Sequence, residues 1–270
     1  MMEQLIRKLN IPFLTQVWME GNFKWLVRVA ASVVTLVVLV VLDLVFDNSL
    51  FRVLWILNLF VALFLFQFTG LKNGLFVKPL YSLPGDGKNL ALTFDDGPHP
   101  EHTPKLLEIM EKYGVQATFF LTGMQLEKYP EIAIRIAEKG HDIGSHGYSH
   151  GNMSRMGMGQ LKQDFSYFKA AAEKAGIQAS VLFRAPFGLK SPLLEWCSRR
   201  LGFRMIHWNL SPKDWKAVPH EVILSRLTEH SRPGSIILLH DSPNAVALLA
   251  DYIQTMLKQG YSFKRISDSI

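Results

Sequence analysis

The hydrophobic positions of the chain follow different patterns before and after residue 71. The first part holds two long apolar runs, 29–42 and 53–70, which are separated by a short polar break at 47–49. Each run approaches the roughly 20 apolar residues that are needed to cross the hydrocarbon core of a bilayer. The pattern therefore predicts two membrane helices, over about 26–46 and about 51–69.

The residues that flank these runs predict how the helices lie in a membrane. Residues 1–24 mix large apolar side chains with Arg7 and Lys8, which is typical of a helix in the membrane surface. Basic residues precede and follow the two runs, whereas only Arg52 lies between them. The positive-inside rule then predicts a two-pass protein of the bacterial cytoplasmic membrane, in contact with membrane lipids and with both ends in the cytoplasm. A cleaved signal peptide is the alternative for the first run, but no small-residue cleavage site follows it.

Beyond Lys88 the pattern changes to short β-rich runs that alternate with amphipathic helical stretches. This alternation predicts an α/β fold with a parallel sheet, which is either open and doubly wound or closed into a barrel. We divide the chain into a surface segment 1–24, two membrane helices 25–70, a linker 71–87 and an α/β domain 88–270. Strands are predicted near 90–94, 117–121, 142–145, 181–184, 204–208, 235–239 and 262–265, and helices near 103–113, 129–139, 158–175, 191–201, 220–231 and 245–259.

Polar side chains that could take part in catalysis or metal binding lie at the C-terminal ends of these predicted strands. In a parallel α/β fold those ends form one face of the sheet, where binding and catalytic sites are built. We therefore expect residues that are distant in sequence to meet at one place. They are Asp95 and Asp96 after the first strand, His146 and His150 after the third, Arg184 after the fourth, Asp214 and Trp215 after the fifth, and His240 with Asp241 after the sixth.

The adjacent carboxylates Asp95 and Asp96 predict a nearby cation, because two like charges at the end of a buried strand are costly without compensation. The stretch SHGYSH places His146 and His150 four residues apart, where both can face the same way. One carboxylate and two histidines form a common ligand set for zinc, with a position left open for water. A metal site is the prediction, and unrelated surface or core histidines are the alternative.

Composition narrows the choice of partner and of cross-link. The net charge of +6 suits an anionic partner, such as a lipid headgroup or an acidic glycan. Dense basic runs with interleaved aromatic residues are missing from the sequence, so we predict no nucleic acid partner. Cys197 is the single cysteine of the chain, which excludes an intrachain disulfide.

Five short motifs resemble, in order and spacing, those of the NodB-homology polysaccharide deacetylases, carbohydrate esterase family 4. The resemblance covers residues 88–268. It implies a distorted (β/α)7-8 barrel, which is preceded here by the predicted N-terminal membrane helical hairpin. The motifs are TFDDGP (93–98), HGYSH (146–150), RAPFG (184–188), DW (214–215) and LLH (238–240).

The resemblance also implies roles for individual residues. Phe187 stands where the family often has Tyr, Ser211 where it often has Asp, and Gly147 where it usually has Ser or Thr, so a hydroxyl that could support the histidine loop is missing. The implied roles are a metal site at Asp96, His146 and His150, a general base at Asp95 oriented by Arg184, a general acid at His240 paired with Asp214, an oxyanion contact from the backbone N–H of Phe187, and an acyl pocket lined by Trp215 and Leu238.

These roles imply a metal-dependent hydrolase that cleaves linear amide C–N bonds and removes N-acyl groups, such as acetyl, from amino sugars. The cofactor would be Zn²⁺, with Co²⁺, Ni²⁺ or Mn²⁺ as alternatives, because such an ion lowers the pKa of a bound water to about 7. The substrate would be a cell-envelope glycan or a polyprenyl-linked sugar. Charge placement favours a cytoplasmic catalytic domain, whereas family precedent favours an extracytoplasmic one.

Two other function classes remain open on the sequence. One is a catalytically inactive glycan-binding membrane protein, and the other is a membrane scaffold whose barrel is only a rigid body. The presence of every implied acid, base and ligand argues against the first. No obligate protein partner is evident from the sequence.

Overall fold

The computed structural model describes residues 23–46, 49–68, 79–216 and 218–270. The chain separates into two compact units, Met1–Phe76 and Val77–Ile270. Most of the predicted surface segment 1–24 and the first part of the predicted linker, 71–78, lie outside the described residues.

The N-terminal unit contains two helices that pack against each other, α1 (Phe23–Phe46) and α2 (Ser49–Phe68). The Arg52 guanidinium donates to Asp43 Oδ1 at 3.1 Å, so opposite charges meet near the ends of the two apolar runs. A bilayer crossing requires an apolar stretch of about 20 residues, and no helix within the described residues is both long and apolar enough to meet that requirement. The predicted two-pass integral membrane protein, with its membrane hairpin, is therefore wrong.

The C-terminal unit is built on a curled parallel sheet that forms a half-barrel. The strands are β1 (Asn89–Asp95), β2 (Thr118–Leu121), β3 (Asp142–Ser145), β4 (Leu182–Phe183), β5 (Arg204–Met205), β6 (Ile236–His240) and β7 (Ser262–Phe263). The sheet order is β5-β4-β3-β2-β1-β6, and β7 pairs with the start of β1. Every pairing between named strands is parallel, as the alternation of strands and helices predicted.

Strand β1 lies between β2 and β6, and its alternating side chains enter different clusters. Leu90, Leu92 and Phe94 pack in the large core together with side chains of the helices that cover the sheet. Ala91 belongs to a smaller cluster on the inner side. Because successive side chains of a strand point to opposite faces, Asp95 lies on the same face as Ala91 and points into the barrel.

The sheet is not closed by a regular pairing of its two edge strands. Instead, the segment after β5 reaches β6 through a parallel bridge between Leu210 and Ile237. Residues ahead of β1 also join the sheet, because Leu80 bridges Ile206 and Ser82 bridges Ser235. The distorted barrel implied by the motifs is thus observed as a half-barrel with irregular closure.

Seven helices of the C-terminal unit connect and cover the described strands, and six of them match predicted ones. The unpredicted helix, α4, has six residues, which is too short to produce a helical hydrophobic period. Strand β5 is shorter than predicted, because the chain leaves it after Met205. The helices are α3 (His102–Tyr113), α4 (Gly123–Lys128), α5 (Pro130–Glu138), α6 (Met158–Lys174), α7 (Pro192–Arg200), α8 (His220–His230) and α9 (Pro243–Lys258).

Candidate active site

A cavity of about 430 Å³ opens at the C-terminal ends of the strands, where the polar residues were predicted to meet. Of the polar residues that were predicted to meet here, Arg184, Asp214 and Asp241 do not line it, and Arg184 and Asp214 are completely buried. Trp208 and Gly188 also line the cavity, although sequence reasoning assigned neither to the site. The lining residues are Asp95, Asp96, His146, His150, Phe187, Gly188, Trp208, Trp215, Leu238 and His240.

Asp96, His146 and His150 form a three-residue cluster that could hold a metal ion. One ligand atom from each residue lies within 4.8 Å of the others. Asp96 Oδ1 is 2.9 Å from His150 Nε2 and 3.4 Å from His146 Nε2. The Nδ1 atom of His146 lies 2.8 Å from the carbonyl oxygen of Arg184, which can only accept a hydrogen bond. Nδ1 therefore carries the proton, and Nε2 presents its lone pair to the cluster.

The ionisation of Asp96 also suits a cation. Burial acts to raise the pKa of Asp96, but its close contacts with His146 and His150 outweigh it, so the net pKa lies below its usual range. The contact with Asp96 in turn raises the pKa of His150, so a metal ion would displace a proton from that imidazole on binding. The carboxylate is thus ionised and held against two imidazoles, which is the donor set that zinc and related divalent ions prefer.

Left-handed backbone conformations turn two of these ligands into the cavity. Asp96 has a φ of 73° and His150 has a φ of 57°, values that Asp and His tolerate better than most residues. Neighbouring residues of a strand normally face opposite sides, so Asp95 and Asp96 would diverge if the strand continued. The left-handed turn directly after β1 lets both carboxylates line the same cavity.

Asp95 is held by the buried guanidinium of Arg184. Arg184 Nη1 donates to Asp95 Oδ1 at 2.8 Å and to Thr93 Oγ1 at 2.6 Å, and its Nη2 donates to the carbonyl oxygen of His207 at 3.1 Å. The other carboxylate oxygen, Asp95 Oδ2, lies 3.8 Å from His146 Nε2. One oxygen is therefore fixed by the arginine, while the second faces the histidine cluster.

His240 ends strand β6 and pairs in register with Asp95 on the adjacent strand β1. Its Nδ1 lies 3.0 Å from Asp214 Oδ1, and its backbone N–H donates to Asp214 Oδ2 at 2.8 Å. The Ser242 hydroxyl donates to the same Oδ2 at 3.2 Å and also caps helix α9. The Asp214 carboxylate oxygen accepts from Nδ1, so Nε2 is the ring nitrogen left for the cavity.

The pKa of His240 reflects two opposing influences. Burial lowers it, because the charged imidazolium is poorly solvated there, but the hydrogen bond and negative charge of Asp214 raise it more. The carboxylates of Asp95 and Asp96 add to the increase. The net pKa lies above the ordinary value, so the imidazolium form persists to a higher pH than in a free histidine.

Apolar and aromatic side chains form the rim and the floor of the cavity. Phe187 is 63% exposed and meets the His150 ring edge-on at 4.7 Å, and Trp215 is 52% exposed and lies 4.9 Å from the His240 ring. Leu238 is buried below them. Gly188 has a φ of 65°, and a Cβ there would lie 2.4 Å from the Trp208 ring, so a glycine is needed for this aromatic wall.

Comparison with known proteins agrees with this arrangement. Residues 83–206 match the family model for polysaccharide deacetylase. A peptidoglycan-N-acetylglucosamine deacetylase of Bacillus cereus is 31% identical over 194 residues, which cover 70% of this chain and 91% of the relative. A chitooligosaccharide deacetylase of Azorhizobium caulinodans is 35% identical over 154 residues, which cover 57% of this chain and 73% of the relative.

A solved structure from Bacillus anthracis, described as a CE4 family pseudoenzyme, superposes with a TM-score of 0.68. It is 27% identical, and the match covers 71% of this chain and 68% of that chain. The family resemblance carried by the five motifs is confirmed by these matches. The chain belongs to the polysaccharide deacetylase family.

Proposed function

We propose that this protein is a metal-dependent hydrolase that removes N-acetyl groups from amino sugars of a cell-envelope glycan. The observation that carries the proposal is the meeting of Asp96, His146 and His150 in one cavity with Asp95 and His240. The relatives named above are described as deacetylases of peptidoglycan N-acetylglucosamine and of chitooligosaccharides. We therefore infer a glycan that contains N-acetylglucosamine as the substrate class.

Asp96, His146 and His150 would hold the divalent ion, which we propose to be Zn²⁺, with Co²⁺, Ni²⁺ or Mn²⁺ as alternatives. When bound, such an ion polarises a carbonyl oxygen and makes water more acidic. A three-ligand protein site leaves coordination positions open for these groups. Asp96 contributes its negative charge, and His146 is oriented for ligation by its hydrogen bond to the Arg184 carbonyl.

In the proposed reaction, Asp95 takes a proton from the attacking water while the water oxygen bonds to the acetyl carbon. Arg184 keeps the carboxylate oriented through Oδ1, and Oδ2 remains free for the proton. The backbone N–H of Phe187 stabilises the negative charge that develops on the acetyl oxygen, as an oxyanion donor does. Trp215 and Leu238 surround the methyl group of the acetyl.

His240 completes the reaction by donating a proton to the leaving nitrogen as the C–N bond breaks. An amine leaves poorly as an anion, so this protonation is necessary, and histidine can supply it near neutral pH. Asp214 keeps Nδ1 protonated and stabilises the imidazolium. The products are acetate and the free amino sugar.

Two alternatives from the sequence concern a lipid-linked substrate and a protein without catalytic activity. The polyprenyl-linked substrate rested on a membrane topology that is wrong, so the proposal is limited to glycan polymers and oligosaccharides. A catalytically inactive glycan-binding protein remains the second candidate, because the chain resembles a pseudoenzyme in fold. The complete set of Asp95, Asp96, His146, His150 and His240 favours the enzyme over the binding protein.

Acetate release from N-acetylchitooligosaccharides and from purified peptidoglycan tests the proposal. We expect activity to fall by about a hundredfold or more after treatment with a chelator, and to return when Zn²⁺ or another of the four ions is added. His230→Ala, which changes an exposed histidine on α8, serves as the control and should retain full activity. Binding of either glycan without acetate release under any metal would favour the glycan-binding alternative.

The variant Asp214→Asn should change the pH dependence of the reaction. Without the Asp214 charge, only the carboxylates of Asp95 and Asp96 oppose the effect of burial on His240, so the pKa of His240 falls. A general acid must be protonated to work, and its contribution is lost as the pH rises through its pKa. We therefore expect the basic limb of the kcat/KM profile to move to lower pH. An unchanged basic limb would show that His240 is not the titrating acid.

A further inference from the structure

The segment 146–150 carries both histidine ligands, and its peptide groups are held from two sides. Helix α4 holds the first side through the backbone N–H groups of its first turn. Gly123 N–H donates to the carbonyl oxygen of Gly147 at 3.0 Å, and Met124 N–H donates to the carbonyl oxygen of Tyr148 at 3.0 Å. These two bonds fix the carbonyl groups of the segment.

The carboxylate of Asp164 holds the other side. Asp164 lies on α6 and is only 7% exposed. Its Oδ1 accepts the backbone N–H of Tyr148 at 2.8 Å, and the neighbouring Ser149 interacts with the same carboxylate. One side chain thus contacts two of the three residues that lie between the two ligands. Sequence reasoning missed Asp164, because an acidic residue in an amphipathic helix normally indicates a solvated face.

The Asp164 carboxylate also accounts for the glycine at position 147, where the family usually has Ser or Thr. This glycine has a φ of 74°, and a Cβ there would lie 3.1 Å from Asp164 Oδ1 and 3.0 Å from the Met153 sulfur. The space beside the backbone is therefore already taken by the Asp164 carboxylate and the Met153 thioether. The support expected from a Ser or Thr hydroxyl at this position comes instead from Asp164.

We propose that Asp164 is a positioning residue for the metal site, which fixes the backbone of 147–149 so that His150 faces Asp96. The inference rests on the proposed function, since it concerns the same metal site. His146 has anchors of its own, because its backbone N–H donates to the Leu121 carbonyl oxygen at 2.8 Å and its Nδ1 is bonded to the Arg184 carbonyl. The effect of losing Asp164 should therefore fall mainly on His150, which must keep a left-handed conformation.

The test compares Asp164→Asn with Asp142→Asn in the full chain. Asp142 is a matched control, because it is also 7% exposed and accepts a backbone N–H and a hydroxyl, both from Ser267. It lies at the start of β3, at the opposite end of the strand from the site. The readouts are the Zn²⁺ dissociation constant by chelator competition, the Tm of the metal-free protein, and kcat and KM.

We expect Asp164→Asn to weaken Zn²⁺ binding by about 10- to 100-fold, as loss of a supporting contact behind a metal ligand does. Asp142→Asn should lower the Tm but leave the Zn²⁺ dissociation constant within about twofold, and Asp164→Glu should recover part of the affinity. Wild-type Zn²⁺ affinity in Asp164→Asn, or an equal loss in Asp142→Asn, would overturn the positioning role. If Asp164→Asn does not fold, Ser149→Ala replaces it with an expected weakening of about threefold, and no change in affinity overturns the proposal.

The outcomes separate this inference from the proposed function. A protein that binds Zn²⁺ in an Asp164-dependent manner but releases no acetate retains the positioning role and loses the enzymatic function. A protein that is an active deacetylase and whose Asp164→Asn variant binds Zn²⁺ normally retains the function and loses the positioning role. A wild-type protein that binds no divalent ion contradicts both.

Discussion

Replacing Asp95 with asparagine should lower kcat by about 10²- to 10⁴-fold, the range expected when a general base is removed. Asparagine keeps an oxygen that can accept from Arg184, but it cannot take a proton from water. Zn²⁺ affinity should remain close to that of the wild type, because the implied ligands are Asp96 and the two histidines. The measurement is acetate release under saturating substrate, together with the Zn²⁺ dissociation constant.

Asp96→Asn is the matched comparison for this experiment. It changes the neighbouring carboxylate in the same way, yet it removes a ligand charge and should lose metal affinity as well as activity. Because Asp95→Asn also removes the negative partner of a buried guanidinium, folding must be verified by circular dichroism at the assay temperature. A kcat within tenfold of the wild type in folded, metal-loaded Asp95→Asn would exclude Asp95 as the base.

Replacing Arg184 with methionine should have the largest effect on stability. Arg184 is fully buried and Asp95 is 3% exposed, so the substitution leaves the Asp95 carboxylate in the interior without its guanidinium partner. Removing one partner of a buried pair costs about 3–5 kcal/mol. Thr93 and the His207 carbonyl also lose their donors. We expect the free energy of unfolding, measured by urea titration, to fall by about that amount.

Arg135→Met provides the control for the arginine substitution. Arg135 lies on α5 and is exposed, so water screens its charge. Substitutions at such surface positions usually change the stability by about 0.5 kcal/mol or less. If both variants lost the same stability, the buried pair between Arg184 and Asp95 would not be the reason for the effect.

Much of the half-barrel could be predicted from the sequence, because buried parallel strands appear as short apolar runs between amphipathic helices. The limits have physical causes. Helix α4 is shorter than two helical turns, so it shows no periodicity. Strand β5 was predicted too long, because the regular ladder with β4 ends at Met205 and Ile206 bridges Leu80 instead. The N-terminal runs do form helices, but their interpretation as membrane spans relied on apolar length alone and is wrong.

Some residues of the candidate site could likewise be predicted from the sequence, whereas others could not. Polar residues at strand ends, such as Asp95 and His240, could be found because a charge directly after an apolar run has no role in the core. Trp208 could not be found, because an aromatic residue in an apolar run indicates core equally well. Asp164 contacts the histidine segment only through the packing of α6, and a single sequence does not show which side of a helix faces a loop. Their placement required the tertiary structure.

The register that sets Asp95 beside His240 has a consequence for biosynthesis. Of the named strands, β1 is the first to leave the ribosome and its neighbour β6 is the last but one, so Asp95 and His240 meet only after most of the domain has been made. In the proposed reaction, a nascent chain without β6 would possess the base but lack the acid. We therefore expect the proposed activity to arise late in folding and to be missing from translation products that stop before β6.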